Sequence, residues 1–307
     1  MTLDATTLDA IAGPDGVFSI VAMDQRNTLR RMFAAADKEA TEEGMRAVKA
    51  DVIGALSPGA SAVLLDPDFG VPAVRAAGAL ADGTGLLVAA EPASRGNHNG
   101  EPRAFRIPEQ DAAWVRGMGG NAVKFLIQLR PDRPRTPGEP DLVAEVLSVV
   151  AEVVADCRRA GLPSVVENLI YPLPGEEPLT EMNTAHREDV IVECARMLTE
   201  IGPDLLKLEY PGSPKGCRRI AEVTDGPWAV LSAGVDFAEF EHVLRVSCEE
   251  GGASGFIAGR ALWKEAVGLD GPARAEFLDG TARLRLEACV AAVTGRARPW
   301  REAVRTR

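Results

Sequence analysis

Asp204-Leu205-Leu206-Lys207-Leu208-Glu209, residues 204–209, is a short apolar run with a lysine inside it. Continuous apolar residues suit a parallel strand covered on both faces. Strand side chains alternate, so Lys207 and Glu209 share one face while Leu206 and Leu208 take the other and pack against outer helices. A charged amine there needs a reason. Either Lys207 is half of a salt bridge with Glu209 at a strand end, or it is a nucleophile, the state that desolvation and a second nearby cation produce in an amine.

Seven similar runs flank it, at 18–24, 62–66, 86–90, 122–126, 164–168, 228–232 and 255–258. Helical periodicity follows each of them after a loop. In 141–160 the residues Leu142, Val143, Val146, Val149, Val150, Val153 and Val154 mark one helix face after Pro140. The segment 236–250 opens with Asp236 as N-cap, presents Phe237, Phe240, Val243, Leu244 and Cys248, and stops at Gly251-Gly252. Eight strand-helix units in about 250 residues make a single (β/α)8 TIM barrel of the α/β class. Its core runs over about 17–268, with a closing helix and solvated tail at 271–307. A doubly wound open sheet is the alternative. No linker divides the chain, and the Pro-rich stretch 130–140 is a loop after the fourth strand.

The 307 residues and 46% hydrophobic content are enough to bury a large core. A net charge of -11 without a basic cluster argues against nucleic acid or an anionic membrane as partner, while leaving room for local arginine pockets. Cys157, Cys194, Cys217, Cys248 and Cys289 form no CxxC pair, the pattern of reduced cysteines in a cytoplasmic protein. The opening MTLDATTLDAIAGPDG reads as no targeting signal, and no run reaches the roughly 20 apolar residues of a membrane span. His98, His186 and His242 stand apart from one another and from cysteine at ligand spacing, so neither metal nor other cofactor is expected.

In a barrel of this kind the active site lies at the C-terminal ends of the strands. Those ends carry Asp24-Gln25-Arg26, Asp66, Glu91, Lys124, Glu167, Lys207 with Glu209, Ser232, and Gly259-Arg260. Mutual pairing would explain any one of these charges. Charge at the ends of all of the first six strands points to chemistry. Leu231-Ser232-Ala233-Gly234 and Ala258-Gly259-Arg260 fall on the last two strands, where small residues let backbone N–H groups approach a phosphate and Arg260 adds charge.

These parts suit a class I aldolase. Lys207 would attack a ketone to form an iminium, the electron sink for cleavage of the adjacent carbon–carbon bond, and Glu167 would move protons. Lys124 would stand beside Lys207 as the second cation and orient the substrate hydroxyls. Asp24 would accept the hydroxyl proton lost on cleavage.

Seven segments in order, MDQRNTLRRMF (23–33), LLDPDFG (64–70), NAVKFL (121–126), VVENLIYP (165–172), LLKLEYP (205–211), LSAGV (231–235) and GASGFIAGRALWKEAV (252–267), resemble the tagatose 1,6-bisphosphate aldolase family of class I aldolases and its relatives, the sulfofructose phosphate aldolases. The resemblance implies that Lys207 is the Schiff-base lysine, Glu167 the acid/base and Lys124 its neighbour. It also implies that Asp24, Gln25 and Arg26 belong to the sugar-binding end, and Ser232, Gly234, Gly259 and Arg260 to the phosphate pocket. Asp66 is a further expected substrate contact. The implied reaction is reversible cleavage of a ketose phosphate to dihydroxyacetone phosphate and a three-carbon aldehyde, by a homo-oligomer. The segments divide between the two branches, and 91–100 fits neither, which leaves the distal substituent open as phosphate or sulfonate. An imine-free isomerase or decarboxylase and a sugar-phosphate-sensing regulator are the remaining alternatives.

Overall fold

Eight short strands, nearly all apolar, close on themselves in the computed structural model, which describes residues 7–234 and 236–304. Val235, the last residue of the 231–235 segment, the start of the N-terminal stretch (1–6) and the last three residues of the C-terminal tail (305–307) lie outside the described residues. The barrel strands are β1 (Phe18–Met23), β2 (Ala62–Leu65), β3 (Gly85–Ala89), β6 (Ala122–Gln128), β7 (Ser164–Leu169), β8 (Leu205–Leu208), β9 (Trp228–Leu231) and β10 (Gly255–Ala258). All neighbouring pairs are parallel, and β10 returns to β1, so the sheet has no open edge. This is the (β/α)8 barrel, and the open-sheet alternative is excluded.

The helices are α1 (Asn27–Ala35), α2 (Glu42–Leu56), α3 (Gly70–Ala77), α4 (Ala112–Gly117), α5 (Leu142–Ala160), α6 (Thr184–Ile201), α7 (Pro214–Val223), α8 (Phe237–Gly251), α9 (Arg260–Trp263), α10 (Gly271–Phe277), α11 (Arg283–Val293) and α12 (Trp300–Ala303). Helix α5 starts as expected, with Asp141 accepting the Ala144 N–H. Helix α8 begins at Asp236, but that carboxylate makes no capping bond and instead accepts from Lys264 at 3.0 Å.

Alternation along each strand divides the interior in two. Phe18, Ile20, Leu64, Leu87, Val165, Leu205 and Ile257 fill the barrel, closed beneath by Leu8 and Ile11. Val21, Val63, Val166, Leu206 and Leu208 face the helices. Tight seams require glycine: a Cβ on Gly255, whose φ is +129°, would lie 2.0 Å from the Phe18 carbonyl oxygen.

Two regions differ from the sequence reading. Between β3 and α4 the chain forms an antiparallel hairpin, β4 (Gly96–His98) and β5 (Glu101–Arg103), turning at Asn99-Gly100 with φ of 50° and 91°. The expected solvated tail is also partly packed: Ala297 and Ala303 are buried, and the N–H groups of Arg298 and Trp300 donate to Ala253 and Gly16. Among the described residues no helix is long and apolar enough to cross a membrane, and all five cysteines are buried thiols.

Candidate active site

Lys124 projects inward from β6 and is fully buried. A buried ammonium must be paired, and here three carboxylates from three strand ends meet it. Asp24 Oδ2 lies at 2.8 Å, Glu91 Oε1 at 2.7 Å and Glu167 Oε2 at 2.8 Å. Strand pairing sets Glu167 directly beside Lys207 on β8, and Glu167 Oε1 is 2.9 Å from Lys207 Nζ. One carboxylate therefore bridges two lysines. Glu209 is not the partner of Lys207: it accepts the Ile170 N–H at 2.8 Å and Arg187 at 3.1 Å.

The electrostatics follow from this packing. Burial disfavours the charge on Asp24, but Lys124 and Lys207 more than offset it and hold the carboxyl well below its ordinary range. Glu167 is held low in the same way, against its own burial, by the two ammonium groups. Burial likewise opposes the charge on Lys124, yet Asp24, Glu167 and Glu91 raise it well above an ordinary lysine. Burial pushes the Glu209 carboxyl up, only partly countered by the Ile170 N–H and Arg187. The cluster is thus a permanently charged Lys124 inside carboxylates, with Lys207 at its open side. The sequence reading set Lys124 beside Lys207 as a second cation among neutralising carboxylates, and Glu167 stands between the two ammonium groups.

Lys207 lies where two cavities adjoin. One, about 230 Å³, runs from Lys207 and Glu167 to Ser232, Gly259 and Arg260. The other, about 450 Å³, is bounded by Asp24, Lys124, Glu167 and Lys207 and by Arg26, Arg31, Arg95 and Arg260. Ala233, which lines the first, and Gly234 beside it both have left-handed backbones, φ 47° and 85°. The strained alanine marks a turn that the surroundings must enforce. Arg260 donates to the Ala233 carbonyl at 3.1 Å, and a Cβ on Gly234 would meet its guanidinium carbon at 3.0 Å. Gly259 is as constrained, since a Cβ there would lie 2.7 Å from Ala22 O. Ser232, Gly234, Gly259 and Arg260 are thus brought together in an arrangement open to an anion.

Gln25 lines both cavities. Its Nε2 donates to Asp24 at 3.2 Å, and its buried Oε1 has no partner among the described residues. Arg26 borders the larger cavity but is held by Asp68 at 3.0 Å and the Glu91 carbonyl at 2.8 Å. Asp66 corrects the sequence reading. It is fully buried, lines neither cavity, accepts the N–H groups of Asp68, Phe69 and Gly70, and pairs with Lys49 at 2.6 Å. Its carboxylate folds back to close the loop after β2, so it stays below the mouth.

Glu91 was seen in the sequence only as a strand end, and Arg31, Lys49 and Arg95 were not singled out. For Lys49 a signal existed: it falls on the same face of α2 as Met45, Val48, Val52, Ile53 and Leu56. Among the described residues no group of three or more His, Cys, Asp or Glu is arranged to hold a metal ion. The three carboxylates that converge do so on the Lys124 ammonium.

Fold and rim together define a barrel enzyme organised around a lysine that shares its carboxylate with a second lysine. Residues 18–265 match the DeoC/LacD family aldolase, and the chain belongs to that family. It is an aldolase, a carbon–carbon lyase. It is 29% identical to tagatose 1,6-diphosphate aldolase 2 of Streptococcus pyogenes serotype M1, over 94% of each chain. The corresponding enzyme of Enterococcus faecalis is 28% identical, over 85% of this chain and 83% of its own. In fold it is similar to a Schiff base forming fructose-1,6-bisphosphate aldolase (TM-score 0.59, 19% identity, 89% of this chain and 96% of that one). A Corynebacterium glutamicum protein of known structure is also similar (TM-score 0.66, 18% identity, 93% and 88%).

Proposed function

We propose that the chain is a class I aldolase that forms an imine on Lys207 and cleaves a six-carbon ketose phosphate, without metal, to dihydroxyacetone phosphate and a three-carbon aldehyde. The observation that carries this reading is the Glu167 carboxylate held between Lys207, at 2.9 Å, and Lys124, at 2.8 Å. Glu167 starts ionised and takes a proton from the Lys207 ammonium, freeing the amine to attack the ketone carbon. The same carboxyl returns that proton to the carbinolamine hydroxyl, which leaves as water and gives the iminium. Asp24, also ionised, accepts the proton of the hydroxyl beyond the scissile bond. As that bond breaks, its electron pair passes to the iminium, forming an enamine and releasing the aldehyde. Protonation and hydrolysis of the enamine return dihydroxyacetone phosphate and free Lys207. Lys124, charged throughout, balances the carboxylates, and its three N–H groups hold Asp24, Glu91 and Glu167 in place around the substrate.

The pocket of Ser232, Gly259 and Arg260, with Gly234 packed behind the Arg260 guanidinium, is suited to the phosphate next to the ketone. Across the larger cavity stand Arg31 and Arg95, for which no carboxylate within salt-bridge distance is found among the described residues. They suit a second anion at the far end of the substrate. The tagatose 1,6-diphosphate relatives support a phosphate there. A sulfonate has the same charge-assisted chemistry, which keeps sulfofructose 1-phosphate, giving sulfolactaldehyde, as the second reading. Tagatose 1,6-bisphosphate, fructose 1,6-bisphosphate and sulfofructose 1-phosphate, assayed with EDTA, distinguish these readings. Cleavage that survives the chelator and is lost in Lys207→Met is expected. Activity abolished by EDTA, or retained in Lys207→Met, contradicts the imine mechanism.

A further inference from the structure

A third lysine lies beneath the two at the mouth. Lys49 comes from α2, outside the barrel, and is fully buried. Its ammonium donates to the Met23 carbonyl at 2.7 Å and to the Gln25 carbonyl at 2.8 Å, and pairs with Asp66 Oδ1 at 2.6 Å. The two carbonyls flank one residue, Asp24, whose carboxylate holds Lys124 at 2.8 Å. Just before them, Trp263 donates to the Ala22 carbonyl at 3.0 Å. The end of β1 is therefore gripped at three carbonyls by side chains from outside the barrel, and the grip ends where Asp24 turns inward.

Asp66 is anchored in turn by the N–H groups of Asp68, Phe69 and Gly70, at 3.1, 2.8 and 3.1 Å. A fully satisfied buried network of this kind allows a single geometry. A Cβ on Gly70 would lie 2.9 Å from the Asp66 carboxylate, so little slack exists. Burying an ammonium is expensive, and an apolar side chain would fill this place in α2 if packing were the only demand.

We propose that Lys49, carried by Asp66, is a positioning residue that fixes the backbone on both sides of Asp24, and so sets where the base for carbon–carbon cleavage stands. The proposal rests on the reading of Asp24 as that base. Lys49 touches no substrate. It acts on bond cleavage and leaves imine formation, which needs Lys207 and Glu167, largely intact.

The test uses the full-length enzyme. Lys49→Met alone would orphan the Asp66 charge and could unfold the chain, so it is made together with Asp66→Asn, with Lys49→Arg as a second variant that keeps the charge in a different shape. A displacement near 1 Å costs a rate of about 10²-fold. Lys49→Met/Asp66→Asn should therefore lose about 10²-fold in kcat for ketose bisphosphate cleavage, with KM changed by less than about threefold. Borohydride trapping of dihydroxyacetone phosphate on Lys207 should persist. Combined with Asp24→Asn, the same pair should add little further loss, because coupled groups are not additive.

An unchanged kcat, loss of trapping in step with cleavage in both Lys49 variants, or a combined loss equal to the product of the separate ones would each overturn the proposal. If Asp24→Asn alone keeps the wild-type kcat, the reading of Asp24 falls, and the role of Lys49 falls with it. If Asp24→Asn is impaired but the losses multiply, only the role of Lys49 fails.

Discussion

Replacing Lys124 by methionine removes the one cation that three buried carboxylates share. Asp24, Glu91 and Glu167 each lose a contact of 2.7 to 2.8 Å and stay out of water, since their side chains are no more than 10% exposed. Breaking a buried ionic group from one side costs about 3–5 kcal/mol, a large part of the roughly 5–15 kcal/mol that holds a domain together. The pH dependence separates this cause from a simple packing defect. In the wild type, Asp24 and Glu167 are held low despite burial, because Lys124 and Lys207 more than offset it. Their stabilisation is present above the unfolded carboxyl pKa near 4 and is lost as pH falls further, so it is nearly constant from about pH 5 to 8. Without Lys124, burial dominates and at least one carboxyl rises above its unfolded value. That penalty is full at high pH and is relieved as pH falls, by up to about 1.4 kcal/mol per pH unit for each proton taken up. Urea unfolding of both proteins at about pH 8, 6.5 and 5 should show the stability difference shrinking steadily toward acid. A difference that stays constant or grows toward acid would refute this reasoning.

Other perturbations follow from the same geometry. Glu167→Gln keeps the shape between the lysines but cannot take the proton, so kcat should drop about 10²–10⁴-fold in a coupled triose-phosphate assay. Arg95→Gln should raise KM for a ketose bisphosphate on the order of tenfold, the scale of one lost charge-assisted hydrogen bond, and leave a ketose 1-monophosphate unaffected; equal effects on both substrates would remove Arg95 from the distal end. Gly255→Ala places a Cβ 2.0 Å from the Phe18 carbonyl oxygen, whereas Gly78→Ala, at φ +57°, meets nothing within 4 Å. Thermal unfolding should show the second losing about 1 kcal/mol and the first more than about 3 kcal/mol or failing to fold.

The barrel was legible because each strand is buried on both faces and is written as a short, nearly continuous apolar run, with glycine or charge where the burial ends. Lys124, Glu167 and Lys207 were legible for the same reason, since a charge inside such a run has to be answered by a neighbouring strand. The rest depended on where backbone turns. Asp66 ends a strand as Asp24 does, and only the loop after it decides that one carboxylate enters the mouth while the other caps three amides. Lys49 is written on the apolar stripe of α2, but its full burial was not legible, because a lysine beside such a stripe ordinarily reaches out to solvent. The β4–β5 hairpin had a signal, Asn99-Gly100, a pair that suits the left-handed turn of a two-residue hairpin, but its polar strands lack the alternation that marks a half-buried sheet. The tail beyond 293 is short and Arg-rich, and part of its packing is backbone bonding to Gly16 and Ala253 that no side-chain pattern records, beside the Arg296–Glu249 and Arg301–Asp9 pairs.

The imine on Lys207 is tested most directly by reduction. Borohydride added with dihydroxyacetone phosphate, followed by proteolysis and mass spectrometry, should place one reduced adduct on the peptide containing Lys207 and inactivate the enzyme in proportion. An adduct on Lys124 or Lys49, or an active enzyme with no adduct, would contradict it.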